Sequence, residues 1–106
     1  GGHSVMWDFP DDKDLIKTAA ELYEGGGIVS AVCHGGAGLV NIKLSSGKYL
    51  IDGKTVTGFT NDEEEQGGDK DRMPFAMETV LKEKGAKFAC VKNWGCNVEV
   101  SERLIT

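Results

Sequence analysis

The feature that most constrains this chain is an apolar segment that runs directly into a glycine-rich turn. Residues 28–33 (Ile-Val-Ser-Ala-Val-Cys) predict a short buried strand, and residues 34–38 (His-Gly-Gly-Ala-Gly) follow it without a spacer. A strand that is apolar at nearly every position is typical of parallel sheets, which are covered on both faces by helices. The pattern therefore predicts an α/β fold in which Cys33 lies at a sharp turn between a strand and a helix.

Such a position would activate the thiol of Cys33. The start of the following helix offers unpaired N–H groups and the positive end of the helix dipole, and both favour thiolate over thiol. We expect Gly35 and Gly36 to let the chain reverse tightly and to let a substrate approach the backbone. The residue after a nucleophile on a turn of this kind supplies an oxyanion-hole N–H, and that residue is His34. The alternative is that Cys33 is a small buried hydrophobe at the end of a strand.

Length and composition narrow the class of protein. The chain has 106 residues and a formal net charge of -5, with no basic cluster, so we expect one domain at most and no nucleic-acid partner. It contains no long apolar run and no leader pattern, which predicts a cytoplasmic protein without a membrane partner. The three cysteines, Cys33, Cys90 and Cys96, form no CxxC pair, and we expect free thiols.

Two further helices are predicted. One extends from the aspartates at residues 11–14 to Gly25, and the other opens at Pro74 and closes at Gly85. The polar stretch at residues 60–71 lies between them. Its acidic run at residues 62–65 predicts a solvated loop, unless one of these carboxylates has a role in catalysis.

Strand signals occupy five short segments, at residues 49–51, 55–57, 88–91, 98–100 and 104–105. Asp52-Gly53 predicts a hairpin between the first two, and the last two predict a second hairpin. We expect Cys90 to lie in the core, Cys96 to be exposed, and Trp94 to pack under the last hairpin.

These elements are too few for a complete sandwich. Two helices and the helix after Cys33 cannot cover both faces of a sheet, and only one helix precedes the apolar strand. We therefore expect residues 1–106 to be part of a larger domain, completed by another segment or a second chain, and to form neither a stable monomer nor an active enzyme alone.

Several segments together resemble one known family. They are GGH at 1–3, MWDFP at 6–10, GGIV at 26–29, AVCHG at 31–35, GK at 53–54, TGFT at 57–60, PF at 74–75, GAKF at 85–88 and RLIT at 103–106. The combination resembles the ThiJ/PfpI superfamily, and within it the branch of glutathione-independent glyoxalase III enzymes and stress chaperones. The resemblance implies a flavodoxin-like, three-layer α/β sandwich with a mainly parallel sheet. Family members are about twice as long as this chain, so it would be the C-terminal portion of a single domain without its N-terminal strands and final helix.

The resemblance also implies catalytic residues. Cys33 matches the nucleophile and His34 the adjacent histidine of a catalytic triad. The third member is an acidic residue after TGFT, for which Glu64 is the closest match, with Glu63 and Glu65 as alternatives one residue away. A further glutamate beside the cysteine would come from the N-terminal half of the domain.

A substrate-binding loop is implied near Gly2. This glycine matches the position whose N–H completes the oxyanion hole with the N–H of His34, and Gly35 would lie beside it. His3 either contacts the substrate or is a hydrogen-bonded loop histidine. A metal site from His3, Cys33 and His34 is disfavoured, because adjacent residues point apart and no fourth ligand is suitably spaced. We therefore predict no metal and no cofactor.

The function implied is conversion of a 2-oxoaldehyde such as methylglyoxal to a 2-hydroxy acid such as lactate, through a hemithioacetal on Cys33. This would be a lyase of the glyoxalase III class, expected as a homodimer acting on a small aldehyde. Two other classes stay open: a holdase chaperone or redox sensor that uses the same cysteine, and a cysteine peptidase or amidase.

Overall fold

Short strands and four helices make up the fold. The computed structural model describes residues 1–106. The helices are α1 (Val5–Asp8), α2 (Lys13–Glu24), α3 (Asn61–Gly67) and α4 (Met77–Glu83), and the strands are β1 (Val29–Ser30), β2 (Thr55–Val56), β3 (Lys87–Phe88), β4 (Val100–Ser101) and β5 (Leu104–Ile105). Three 3₁₀ segments lie at Phe9–Asp11, Cys33–Leu39 and Lys70–Arg72. No helix is both long and apolar enough to cross a membrane.

The strands form two small sheets. In the first, β1 lies parallel to β5, with Val29 opposite Leu104, and β4 lies antiparallel to β5. In the second, β2 lies parallel to β3, with Thr55 opposite Lys87. The predicted hairpin near the end of the chain is therefore confirmed.

Helix α2 forms as its sequence predicts. The carboxylate of Asp12 caps it by accepting hydrogen bonds of 3.0 Å from the N–H groups of Asp14 and Leu15. Its last turn is tied to the β4–β5 hairpin, because the buried Tyr23 donates its hydroxyl proton to Glu102 and accepts a hydrogen bond from the Arg103 guanidinium at its carbonyl.

The segment before Cys33 is less buried than its composition predicts. Only Val29 and Ser30 are strand, and β5 is the only strand that pairs with them. Val29 is buried, whereas Ile28 is 60% and Val32 71% exposed. Successive side chains point to opposite faces, and only the face of Val29 packs on the core of residues 1–106. The face of Ile28 and Val32 is the one that the rest of the predicted larger domain would cover, so a strand covered on both faces stays a prediction.

The hairpin predicted at Asp52-Gly53 does not form. Gly53 takes a positive φ of 75°, as a turn requires, but its N–H donates to the carbonyl of Gly85 and β2 pairs with β3. Leu50 and Ile51 are both completely buried. Two adjacent residues of one strand would face opposite sides, so burying both favours a non-strand path before the turn.

Two other segments also differ from the prediction. Residues 61–67 form helix α3 instead of a loop, because Thr60 and Glu63 make a capping box at its start. The helix predicted from Pro74 begins only at Met77, and Gly85, with φ of 95°, follows its end. Cys90 is exposed and not in the core, since the β3 strand stops at Phe88, while Cys96 is exposed as predicted.

The hydrophobic core lies beneath the segment that follows Cys33. Fourteen buried apolar residues form it: Met6, Tyr23, Val29, Ala37, Leu39, Val40, Ile42, Leu50, Ile51, Val56, Met77, Leu81, Ala86 and Leu104. Because Ala37, Leu39 and Val40 belong to this core, the 3₁₀ segment at Cys33–Leu39 is held from its buried side and the turn at Cys33 is fixed.

Candidate active site

Cys33 occupies a strained turn, and the strain lies on the cysteine itself. Val32 is still extended, whereas Cys33 has a positive φ of 58°. A non-glycine residue in this region is uncommon and is found where the surrounding structure imposes it, frequently at functional sites. The predicted elbow is therefore present, and it presents a half-buried thiol.

The glycines after Cys33 do not make the turn. Neither Gly35 nor Gly36 has a positive φ, so the expectation that they reverse the chain is wrong. Gly36 is instead needed for packing, because a Cβ on it would lie 3.1 Å from the sulfur of Met77. Gly35 lies against the first residue of the chain, since its Cβ would be 3.6 Å from the Gly1 nitrogen.

His34 joins the thiol to a carboxylate. Its Nδ1 lies 3.4 Å from the sulfur of Cys33, and its Nε2 is in hydrogen-bonding contact with Oε1 of Glu64. His34 and Glu64 are only 1% and 7% exposed. With Glu64 ionised, Nε2–H donates to the carboxylate, which leaves Nδ1 free to accept the proton of the thiol. The other oxygen of Glu64, Oε2, is buried and has no partner.

Helix α3 brings Glu64, and not its neighbours, to His34. The carboxylate of Glu63 points to the chain instead, where it accepts hydrogen bonds from the backbone N–H groups of Thr60 (2.9 Å) and Trp94 (2.7 Å). Glu65 is exposed and lies 3.2 Å from the ammonium group of Lys70. Successive helical residues point about 100° apart, so only one of the three carboxylates can face the histidine.

Glu78 on α4 fixes the start of α3. Its carboxylate accepts a hydrogen bond of 2.7 Å from the backbone N–H of Asn61 and a second one from Lys82. Partial burial raises the pKa of Glu78, but the hydrogen bonds from Lys82 and Asn61 together outweigh burial and hold this pKa below its ordinary value. The helix that carries Glu64 is thus anchored by a charged group.

Two rings contact the imidazole of His34. The Phe59 ring stacks on it with centroids 4.3 Å apart, and the tilted ring of His3 lies at the same centroid separation, 6.2 Å from the Phe59 ring. Nε2 of His3 also lies 3.6 Å from a carboxylate oxygen of Asp69. Sequence reasoning placed His3 near the site but missed Phe59, although this residue lies in the TGFT segment, and Asp69, whose segment carries no motif.

Trp94 belongs to this site and not to the last hairpin. It is 60% exposed, its ring packs edge-to-face with that of Phe59 with centroids 5.6 Å apart, and its indole N–H donates to Gln66. The expectation that it packs under the hairpin is therefore wrong. Its positive φ of 64° and the bond from its N–H to Glu63 turn this loop toward α3.

Two backbone N–H groups are available near the thiol. Neither the Gly2 N–H nor the His34 N–H has an acceptor among the hydrogen bonds of the turns and caps. Gly2 has φ of 92°, a conformation that favours glycine, and a Cβ there would meet open space. The residue before it lies close to the elbow, since a Cβ on Gly1 would be 3.6 Å from the Cβ of Cys33.

Cys33 lies in the wall of a cavity of about 310 Å³. Its lining residues are Val32, Cys33, Thr57, Gly58, Phe59, Glu63, Trp94, Gly95, Cys96, Asn97 and Thr106. This volume is at the lower end of the range typical of sites for small ligands. The arrangement can present a nucleophile and a general base to a small electrophile.

One group of side chains has the composition of a metal site. The possible ligand atoms of His3, His34 and Glu64 lie within 4.8 Å of one another. Both ring nitrogens of His34 are already engaged, with Cys33 and Glu64, so a metal ion would have to displace the bond between His34 and Glu64. The set differs from the one weighed in the sequence, and the absence of a metal stays a prediction.

The sequence is similar to glyoxalases of fungi. It is 42% identical to Glutathione-independent glyoxalase HSP31 of Saccharomyces cerevisiae over 113 aligned positions, which cover 99% of this chain and 47% of that protein. It is 40% identical to Glyoxalase 3 of Candida albicans over 92 positions, which cover 82% of this chain and 39% of that protein. No family model matches the chain.

Solved structures agree with this similarity. The crystal structure of glyoxalase III from Candida albicans superposes with a TM-score of 0.93 at 35% identity, over 99% of this chain and 46% of that one. The Rapid Encystment Protein of Francisella tularensis gives a TM-score of 0.96 at 39% identity, over 99% and 47%. The predicted fold class, an incomplete α/β domain with parallel pairing, is confirmed. The chain spans about half the length of the relatives it matches, and along that half it is similar to proteins named glutathione-independent glyoxalases.

Proposed function

We propose that Cys33, His34 and Glu64 convert a 2-oxoaldehyde such as methylglyoxal to the corresponding 2-hydroxy acid without glutathione. The observation that carries this proposal is the line from the Cys33 thiol through the His34 imidazole to the Glu64 carboxylate, with Cys33 in the wall of a small cavity. Relatives named glutathione-independent glyoxalases support the same reaction.

In the first step, the sulfur of Cys33 forms a bond to the aldehyde carbon of the substrate. Nδ1 of His34 takes the thiol proton, and Glu64 stabilises the resulting imidazolium through Nε2–H. The carbonyl oxygen becomes an oxyanion, toward which the N–H groups of Gly2 and His34 can donate. Protonation of that oxygen gives a hemithioacetal.

In the second step, a base removes the hydrogen from the carbon that carries the sulfur. The electron pair forms an enediol with the neighbouring carbon, and a proton returned to that neighbour gives a thioester of the 2-hydroxy acid. One carbon is oxidised as the next is reduced, so the step consumes no external oxidant or reductant. His34 lies beside the sulfur and is positioned to move this proton, and the glutamate that the family resemblance implies is the second candidate.

Water then hydrolyses the thioester. It adds to the acyl carbon, the thiolate of Cys33 leaves, and lactate is released when methylglyoxal is the substrate. The cavity beside Cys33 is lined by polar groups of Thr57, Asn97 and Thr106 as well as by rings, which leaves room for water at the acyl group. The expected homodimer, the cytoplasmic location and the place of residues 1–106 in the C-terminal portion of a single domain stay predictions.

Lactate formation from methylglyoxal in the absence of glutathione tests the proposal. Cys33→Ser should lower the rate by up to about 10⁶-fold, the size of the effect measured when a covalent nucleophile is removed from a catalytic triad. Cys90→Ser is the matched control, because Cys90 is an exposed cysteine outside the Cys33 cavity and should leave the rate unchanged. Equal rates in wild type and Cys33→Ser, or turnover only of peptide substrates, would contradict the proposal.

A further inference from the structure

Two of the three cysteines line the same cavity. Cys33 and Cys96 both contribute to the wall of the space of about 310 Å³ beside the catalytic histidine, although they are 63 positions apart in the sequence. Cys96 is exposed and Cys33 is half-buried, so neither cysteine is enclosed in the core. Cys90 lies outside it and lines a different cavity, beside Asn61 and Glu78.

Hydrogen bonds fix the residues on both sides of Cys96 but not Cys96 itself. On one side, the Trp94 N–H donates to Glu63, and on the other the Asn97 amide donates to the hydroxyl of Thr57 at 3.3 Å. Cys96 lies in no helix or strand, and its own N–H and carbonyl take part in no hydrogen bond of the turns and loops. Its side chain can therefore move across the cavity mouth without breaking backbone hydrogen bonds.

The chemistry of Cys33 makes a second thiol in the same cavity significant. A cysteine that is accessible and paired with a histidine reacts with hydroperoxides to give a sulfenic acid. A neighbouring thiol converts this product to a disulfide, whereas without one a second oxidation gives a sulfinic acid that thiol reductants do not reverse. The fate of oxidised Cys33 is thus decided by whether a thiol can reach it.

We propose that Cys96 is the resolving thiol for Cys33. The sulfur of Cys33 attacks a hydroperoxide, the O–O bond breaks, and Cys33 becomes a sulfenic acid as water or an alcohol leaves. The sulfur of Cys96 then attacks the Cys33 sulfur, the S–O bond breaks, water leaves, and a disulfide joins the two residues. A dithiol reductant returns both thiols. The inference concerns thiol chemistry and stands whether or not methylglyoxal is the substrate.

This disulfide would act as a reversible block on the site. It requires Cβ atoms about 4 Å apart, which places the Cys96 side chain over the Cys33 thiol once the bond has formed. While the bond exists, Cys33 cannot add to a carbonyl, and Cys33 is protected from irreversible oxidation.

Peptide mapping after treatment with two equivalents of hydrogen peroxide tests the proposal, because the disulfide consumes one equivalent whereas a sulfinic acid on Cys33 requires two. The oxidised wild-type protein should lose two hydrogens, keep only Cys90 free to alkylation, and yield a linked peptide that contains Cys33 and Cys96. Dithiothreitol should restore both thiols. Cys96→Ser should instead gain two oxygens on Cys33 and resist dithiothreitol, whereas Cys90→Ser, the matched control, should behave as wild type.

Wild-type protein that gains two oxygens on Cys33, or forms a disulfide through Cys90 or between chains, would overturn the proposal. The map of the wild-type protein decides this by itself, so the test holds even if Cys96→Ser folds poorly. Cys96→Ala provides a second variant, and circular dichroism shows whether each variant is folded.

Discussion

The carboxylate of Glu78 accepts a hydrogen bond of 2.7 Å from the backbone N–H of Asn61, and this contact joins α4 to the first turn of α3. Helix α3 in turn carries the carboxylate that faces His34. The arrangement of Cys33, His34 and Glu64 therefore depends on a contact that involves none of these three residues.

Glu78→Gln should lower the free energy of unfolding by about 1 kcal/mol, because it keeps the shape of the side chain but removes the charge that strengthens the bonds to Asn61 and Lys82. Urea unfolding measures the change. Glu83→Gln is the matched control, since Glu83 lies on the same helix, is exposed and forms no hydrogen bond or ion pair. Equal losses in the two variants would mean that the Asn61 contact contributes nothing.

The contribution of Glu78 should also depend on pH. Its pKa in the folded protein lies below its ordinary value of 4.5, so its carboxylate stabilises the fold above that pH and loses its effect as the pH falls through the folded-state pKa. The difference in unfolding free energy between wild type and Glu78→Gln should therefore be constant near neutral pH and shrink below pH 4.5. A difference that grows on acidification would show that the sign of the shift is wrong.

Glu64→Gln should lower turnover by about 10 to 10⁴-fold and leave the fold intact, because the imidazolium of His34 loses its charged partner. Glu65→Gln should have no effect on the rate, since Glu65 faces solvent beside Lys70. Steady-state rates together with circular dichroism measure both. A larger loss of rate in Glu63→Gln than in Glu64→Gln would show that Glu63, and not Glu64, is the catalytic carboxylate.

Glu63 has a structural prediction of its own. Glu63→Ala should lower the free energy of unfolding by about 1 kcal/mol, because it removes one half of the capping box of α3 and the brace to the Trp94 N–H. Thermal unfolding measures this, and Asp62→Ala, an exposed change in the same first turn, is the control. A capping role would be contradicted by equal melting temperatures.

Gly36→Val should destabilise the protein by about 1 to 3 kcal/mol through overpacking, because a Cβ at this position would lie 3.1 Å from the Met77 sulfur. The double variant Gly36→Val/Met77→Ala should be more stable than the sum of the single changes indicates, since the shorter side chain makes room. Strict additivity of the two unfolding free energies would contradict a direct clash.

Parts of the fold that depend on local signals were predictable from the sequence. The aspartates before α2, the turn residues of the last hairpin and the apolar run into Cys33 each act within a few positions, and those elements form. The Asp52-Gly53 hairpin failed because Gly53 bonds to Gly85, a partner 32 positions away that a local turn signal does not contain.

In the candidate site, too, the residues with local signals were predictable and those brought in by distant contacts were not. Cys33 and His34 are adjacent in the sequence, so their proximity followed from the motif, and Glu64 followed from the family resemblance. The start of α3 was visible as Thr60 followed three positions later by Glu63, a capping-box signal that the acidic run concealed. Phe59, Asp69 and Trp94 reach the site through long-range packing, which no spacing rule predicts.

The central claim is that Cys33 bonds covalently to the aldehyde carbon during turnover. Acid quenching of the protein with methylglyoxal, without glutathione, followed by peptide mass spectrometry, tests it most directly. We predict that the Cys33 peptide gains the mass of one methylglyoxal as an acid-stable thioester, that Cys90→Ser keeps this adduct, and that Cys33→Ser lacks both the adduct and lactate formation. Lactate formation that continues in Cys33→Ser, or that proceeds in wild type with Cys33 unmodified throughout, would contradict the claim.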